Sequence, residues 1–125
     1  MNKDFESRFK LRGKTAVVTG GLGIIGKRFG RGLSQAGCNL AIIDFKPDDD
    51  SYAKELSAAF DTDVIAVQGD VSCPESVSSM KDSVVDHFGS IDILLNNAAS
   101  KSDNLDAFFA PFEDYSIEEW KISPL

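Results

Sequence analysis

The chain is short of cysteine, of histidine, of long apolar runs and of positive charge, and each shortage removes a class of function. Two cysteines in 125 residues, Cys38 and Cys73, make no disulfide framework, and neither belongs to a C-x-x-C pair. They read as reduced, mostly buried thiols of a cytoplasmic protein. The one histidine, His87, has no companion cysteines or histidines at ligand spacing, so no metal site is expected. Its place beside Phe88, late in a helical segment, reads as a surface or capping position. The longest apolar runs, "NLAIID" and "IDILL", fall far short of the roughly 20 residues that cross a bilayer. The charged N-terminus "MNKDFESRFK" contains no apolar signal region. A net charge of −7 argues against nucleic acid or an anionic membrane surface as partner, since both require a basic face.

What is present is alternation. "TAVVT" (15–19) is a β-branched run, and "IIGKRFGRGLSQA" (24–36) follows as a helix with Ile25, Phe29 and Leu33 on its apolar, core-facing stripe while Lys27, Arg28 and Arg31 point elsewhere, stopped by Gly37. "NLAIID" (39–44) reads as a second strand, and "DSYAKELSAAF" (50–60) as a helix with Tyr52, Leu56 and Phe60 on one stripe. "DVIAVQ" (63–68) reads as a third strand. "SCPE" (72–75) has the form of a capping box, Ser72 with Glu75, and opens a helix that turns Val77, Met80, Val84 and Phe88 inward. "IDILLN" (91–96) reads as a fourth strand, and Ser116 with Glu119 in "SIEEW" as a further capping box. Apolar strands separated by helices predict an α/β fold, a parallel sheet with helices on both faces and strand order 3-2-1-4. One domain is expected over 1–125, with a lead-in at 1–12 and a loop at 97–115.

The stretch "VVTGGLGIIGKRFG" (17–30) places five glycines where strand passes into helix. Gly21, Gly23 and Gly26 satisfy G-x-G-x-x-G inside a βαβ unit, the context in which that pattern binds a dinucleotide. Backbone amides must approach a pyrophosphate closely there, at the positive end of a helix, and a Cβ would obstruct them. Asp44 ends the second strand 18 residues after Gly26, where a carboxylate accepts from both hydroxyls of a ribose. Asp70 in "QGDVS" ends the third strand, where it can receive the adenine amino group while the Val71 amide meets a ring nitrogen. Either aspartate alone would pass for a turn or cap residue.

Together "TGGLGIIG" (19–26), "GDVS" (69–72) and "NNAA" (96–99) resemble the short-chain dehydrogenase/reductase family over roughly residues 10–120. The resemblance implies a Rossmann-like fold and a nicotinamide dinucleotide cofactor. It assigns the pyrophosphate turn to Gly20, Gly23 and Gly26, NAD selection over NADP to Asp44, and adenine contact to Asp70 and Val71. It gives Asn96 the task of stabilising the central sheet and has Asn97 and Ala98 line the adenosine ribose. The candidate site thus comprises Gly20, Gly21, Leu22, Gly23, Ile24, Ile25, Gly26, Asp44, Phe45, Asp70, Val71, Asn97, Ala98 and Ala99. Two departures from the family pattern stand out: Ile24 where one branch has glycine, and Ala99 where glycine usually follows N-N-A. The stretch 96–120 also looks like bacterial members tied to surface-glycan or flagellin modification.

The family's acid/base pair is Y-x-x-x-K, and this chain contains none: Tyr52 is followed four residues on by Leu56, and Tyr115 by Glu119. Ser100 and Lys101 read as a polar loop. With Pro124 expected to halt the last helix, the chain reads as the cofactor-binding half of a longer oxidoreductase acting on an alcohol or carbonyl, without catalytic residues of its own. The second half of the fold would be missing. Strand 91–96 would then keep an open edge and invite self-association. A stand-alone nucleotide-binding module and a non-functional remnant are the alternative readings.

Overall fold

The computed structural model describes residues 7–48, 51–100 and 103–122, with only the backbone at Ile122. Strands β1 (Thr15–Thr19), β2 (Asn39–Asp44), β3 (Val64–Gln68) and β4 (Ile93–Leu95) form one parallel sheet in the order β3-β2-β1-β4. Helices α1 (Ile24–Gln35), α2 (Ser51–Phe60) and α3 (Pro74–Phe88) connect them. Val17 of β1 stands opposite Ala41 of β2 and Leu94 of β4, and Ile42 of β2 stands opposite Ala66 of β3.

Strand periodicity divides the core in two. Ala16, Val18, Leu40 and Ile42 face Tyr52, Ala53 and Leu56 of α2 on one side. Val17, Ala41 and Ile43 face Met80 and Val84 of α3 on the other. Leu40, Ile42 and Leu56 are fully buried, each contributing about 1.5–3 kcal/mol through removal from water. Both faces of β1 and β2 are covered, which is why Ala16–Val18 and Leu40–Ile43 are continuously apolar rather than alternating.

Four expectations need correction. Helix α1 does not turn Ile25 and Phe29 inward; both are exposed, and its buried residues are Gly26, Gly30 and Ser34. The close approach is the cause, because a Cβ on Gly30 would already stand 3.2 Å from Leu40 Cδ2. Val77 is likewise exposed on α3, one turn before buried Met80. The box at Ser72 does not form: the N-cap is Cys73, without a side-chain cap, and Pro74 begins the helix. Ser72 instead gives both its hydroxyl and its amide to Asp70 Oδ1, at 2.6 and 2.9 Å. Finally, β4 is shorter than 91–96. Asp92 carries the ladder beyond it, its amide donating to the Thr15 carbonyl and its Oδ2 accepting from the Thr15 amide, both at 2.9 Å.

The loop 97–115 contains a short helix, α4 (Leu105–Phe108), and a 3₁₀ turn at Phe112–Asp114. Helix α5 (Ile117–Ile122) follows, and the Glu119 amide donates to Ser116 Oγ at 3.1 Å, the first half of the expected box. Pro124, Lys101 and the first six residues of the lead-in lie outside the described residues. Cys38 is buried, which pushes its thiol pKa up, whereas Cys73 is partly exposed. His87 Nε2 lies 2.8 Å from Asp63 Oδ2 at the surface. Among the described residues no helix is long and apolar enough to cross a membrane.

Candidate functional site

The carboxyl ends of all four strands open onto one cleft of about 570 Å³, within the range of small-molecule sites. Its floor is the exit from β1. Gly20 has φ +62°, and a Cβ there would lie 2.9 Å from the Cα of Ala98, so the turn needs a residue without one. Gly23 caps α1 in extended conformation, its amide donating to the Gly20 carbonyl at 3.2 Å. The first bond of the helix runs from the Lys27 amide to the Gly23 carbonyl, at 2.9 Å. The amides of Ile24, Ile25 and Gly26 therefore have no acceptor within the helix, and all three residues line the cleft. Three donors at the positive end of a 12-residue helix suit a phosphate group.

Gly26 lets this turn close. A Cβ on it would sit 2.1 Å from the Gly20 carbonyl oxygen and 2.9 Å from Asn97 Nδ2. Asn97 and Thr19 tie the turn to the exit from β4. The amides of Asn97 and Ala98 both donate to Thr19 Oγ1 at 3.0 Å, and Asn97 Nδ2 donates to the carbonyls of Thr19 and Gly20 at 3.2 Å. The bracing expected of Asn96 thus falls to Asn97, while Asn96 is exposed. The reason is that the chain leaves β4 at Leu95, and the amide of Asn97 turns to a side-chain acceptor.

Asp44 is only 8% exposed and is fixed by two backbone donors: Oδ2 accepts from the Leu22 amide at 3.0 Å and Oδ1 from the Lys46 amide at 3.1 Å. A carboxylate oxygen accepts more than one hydrogen bond, so both keep capacity for a ligand hydroxyl. Asp70 sits at the opposite wall. Its carboxyl is held below the usual range, first by the Ser72 hydroxyl and then by the Ser72 amide, and it is ionised at neutral pH. Its own amide donates to Ser76 Oγ at 2.9 Å.

Of the candidate residues, Gly20, Leu22, Gly23, Ile24, Ile25, Gly26, Asp44, Phe45, Asp70, Val71, Asn97, Ala98 and Ala99 line this one cleft. Gly21 does not. Its amide donates to the Ile43 carbonyl at 3.0 Å, and the space a Cβ would need is taken by Ile42 Cγ2 at 2.6 Å, so it serves packing against β2. Ile43, Lys46, Gly69, Ser72 and Ser100 also line the cleft and were absent from the expected set. Strand-end position alone marks Ile43 and Gly69; Ser72 was spent on a cap that does not form. Neither tyrosine is there. The Tyr52 hydroxyl donates to the Lys27 carbonyl between α1 and α2, and Tyr115 stands edge-on to Trp120, with ring centroids 6.3 Å apart. Among the described residues no group of three or more His, Cys, Asp or Glu is placed to hold a metal ion.

Residues 14–123 match the family described as short chain dehydrogenase. The chain belongs to that family. Relatives include D-beta-hydroxybutyrate dehydrogenase of Rhizobium meliloti, 32% identical over 109 residues, which cover 86% of this chain and 40% of the relative. Fluoren-9-ol dehydrogenase of a Terrabacter species is 35% identical over 97 residues, 77% of this chain and 27% of the relative. Among solved structures, NADPH-dependent 3-quinuclidinone reductase from Rhodotorula rubra superposes with a TM-score of 0.80 at 26% identity, covering 97% of this chain and 44% of that one. L-sorbose reductase from Gluconobacter frateurii, complexed with NADPH and L-sorbose, gives 0.74 at 29% identity, covering 91% and 41%. This chain thus spans less than half the length of each of these four family members.

Proposed function

We propose that this chain is the NAD-binding part of an oxidoreductase that moves a hydride between a nicotinamide cofactor and an alcohol or carbonyl, the substrate class including sugar-derived compounds. The observation that carries this reading is the convergence on one cleft of the α1 first-turn amides, Asp44 and Asp70, from three successive strand ends. A pyrophosphate fits the first, a ribose diol the second and an adenine amino group the third. The sugar-derived class is supported by the sorbose reductase likeness, whose complex holds L-sorbose. A second reading, a nucleotide-binding module without catalysis, is favoured by the position of both tyrosines away from the cleft.

NAD is the proposed cofactor, even though two of the similar solved structures are described with NADPH. Asp44 is held in place by two amides, so a 2′-phosphate at the ribose would meet a fixed negative charge. Lys46 also lines the cleft, and Phe45 beside it carries no charge. The expected result is that NADH binds about tenfold or more tightly than NADPH, a difference of roughly 1.4 kcal/mol. Asp44→Ala should bring the two dissociation constants close together, mainly by weakening NADH. Equal affinity of the unsubstituted chain for both, read by fluorescence titration, would refute the preference.

A further inference from the structure

Two serines hold Asp70, and only one of them belongs to the cleft. Ser72 gives its hydroxyl and its amide to the same carboxylate oxygen, Oδ1, at 2.6 and 2.9 Å. Oδ2 accepts no hydrogen bond among the described residues. Ser76 lies outside the cleft, on the first turn of α3, and its Oγ accepts from the Asp70 amide at 2.9 Å. The helix is packed directly onto this loop. A Cβ on Gly69 would stand 3.0 Å from Ser76 Oγ and closer still to the side chain of Met80, one turn further along α3. The Cys73 amide closes the loop on the Asp70 carbonyl at 3.2 Å.

These bonds fix which donors and acceptors face a base. An ionised carboxylate only accepts, and a backbone amide only donates. With Oδ1 taken by Ser72, Asp70 offers Oδ2, and Val71 offers an amide that donates to nothing among the described residues. An acceptor beside a donor suits the edge of adenine, an amino group beside an unprotonated ring nitrogen. Hypoxanthine reverses both positions, with an oxo group beside a ring N–H. The carboxylate and the Val71 amide both branch from Asp70, whose own amide Ser76 anchors to α3.

We infer that Ser76 is a positioning residue for base selectivity: by anchoring Asp70 to α3 it makes the cleft favour a dinucleotide whose base carries an amino group, adenine, over one whose base carries an oxo group, hypoxanthine. This role rests on the cofactor reading above, and Ser76 exerts it through Asp70 without lining the cleft itself. All the groups involved lie within residues 69–80, on the β3 side of the sheet and away from the β4 edge.

The test is a fluorescence titration of the full chain with NADH and with reduced nicotinamide hypoxanthine dinucleotide, which share the fluorescent reduced nicotinamide and differ only at the base. The unsubstituted chain should bind NADH about tenfold more tightly, because the analogue leaves the Asp70 carboxylate facing an acceptor. Ser76→Ala should reduce that ratio to about twofold, as the charge-assisted bond loses its geometry. Alanine is the better helix former, so α3 itself is not weakened. Ser76→Thr keeps the hydroxyl and should keep the ratio, whereas the isosteric Ser76→Val should lose it, and circular dichroism checks that each variant folds. Equal weakening of both dinucleotides by Ser76→Ala, with the ratio unchanged, would show a packing role only and overturn the proposal. A ratio near one in the unsubstituted chain also overturns it, while leaving the cofactor site in place. Binding of neither dinucleotide overturns the cofactor reading and this role with it.

Discussion

Valine in place of Gly26 is expected to abolish dinucleotide binding and to destabilise the fold by about 3 kcal/mol or more, the upper end for overpacking. The Cβ would meet the Gly20 carbonyl oxygen at 2.1 Å, and that obstacle is backbone at a position with φ +62°. No rotamer relieves it. The turn would have to open, moving the Ile24–Gly26 amides away from any phosphate and breaking the Asn97 Nδ2 bonds to Thr19 and Gly20. At about 4 °C per kcal/mol the melting temperature should fall by roughly 12 °C. Gly32→Ala in the same helix is the matched control. Nothing lies within 4 Å of its Cβ, so the change should be neutral or stabilise by up to about 1 kcal/mol. Normal NADH binding by the Gly26→Val protein would mean that this turn is not the phosphate site.

The second large effect is an expected lack of turnover. A hydride transfer to or from a carbonyl needs a group that gives or takes the hydroxyl proton in the transition state, typically contributing about 10²–10⁴-fold. Among the described residues, the titratable side chains at the cleft are Asp44, Lys46 and Asp70. Asp44 is fixed by two amides at the ribose end, and Asp70 is held ionised by Ser72. Burial raises the pKa of Tyr52, its hydroxyl donates to the Lys27 carbonyl, and it does not line the cleft. The chain is therefore expected to bind NAD and to form no NADH above the buffer rate across a panel of secondary alcohols, hydroxy acids and polyols. Sustained NADH formation by the purified chain would place an acid/base group in the cleft that the above account does not contain.

How much of this was legible in the sequence depended on what each residue answers to. β1 and β2 were readable to the residue, because both faces are buried and every position between their polar ends is apolar. The cleft was readable because its residues sit at strand ends, where spacing along the chain maps onto one edge of the sheet. The inward face of α1 was misread for a physical reason. Periodicity looks for large apolar side chains, but a helix that packs backbone-close presents Gly26, Gly30 and Ser34 inward and leaves Ile25 and Phe29 outside. Ser72 departs from expectation because its hydroxyl, expected to accept from the Glu75 amide, donates instead to the Asp70 carboxylate in a charge-assisted bond. The end of β4 depended on Thr19 and Asn97, residues 78 apart in sequence, which no local pattern connects.

The central claim is that a dinucleotide lies across the strand ends with its phosphates on the first turn of α1. Titrating NADH into isotope-labelled chain and following the backbone amide resonances tests it most directly. The account predicts saturable shifts, largest at Ile24, Ile25 and Gly26 and extending to Val71 and Ala98, and absent from the Gly26→Val protein. Shifts that do not saturate, or that cluster away from these strand ends, would contradict it.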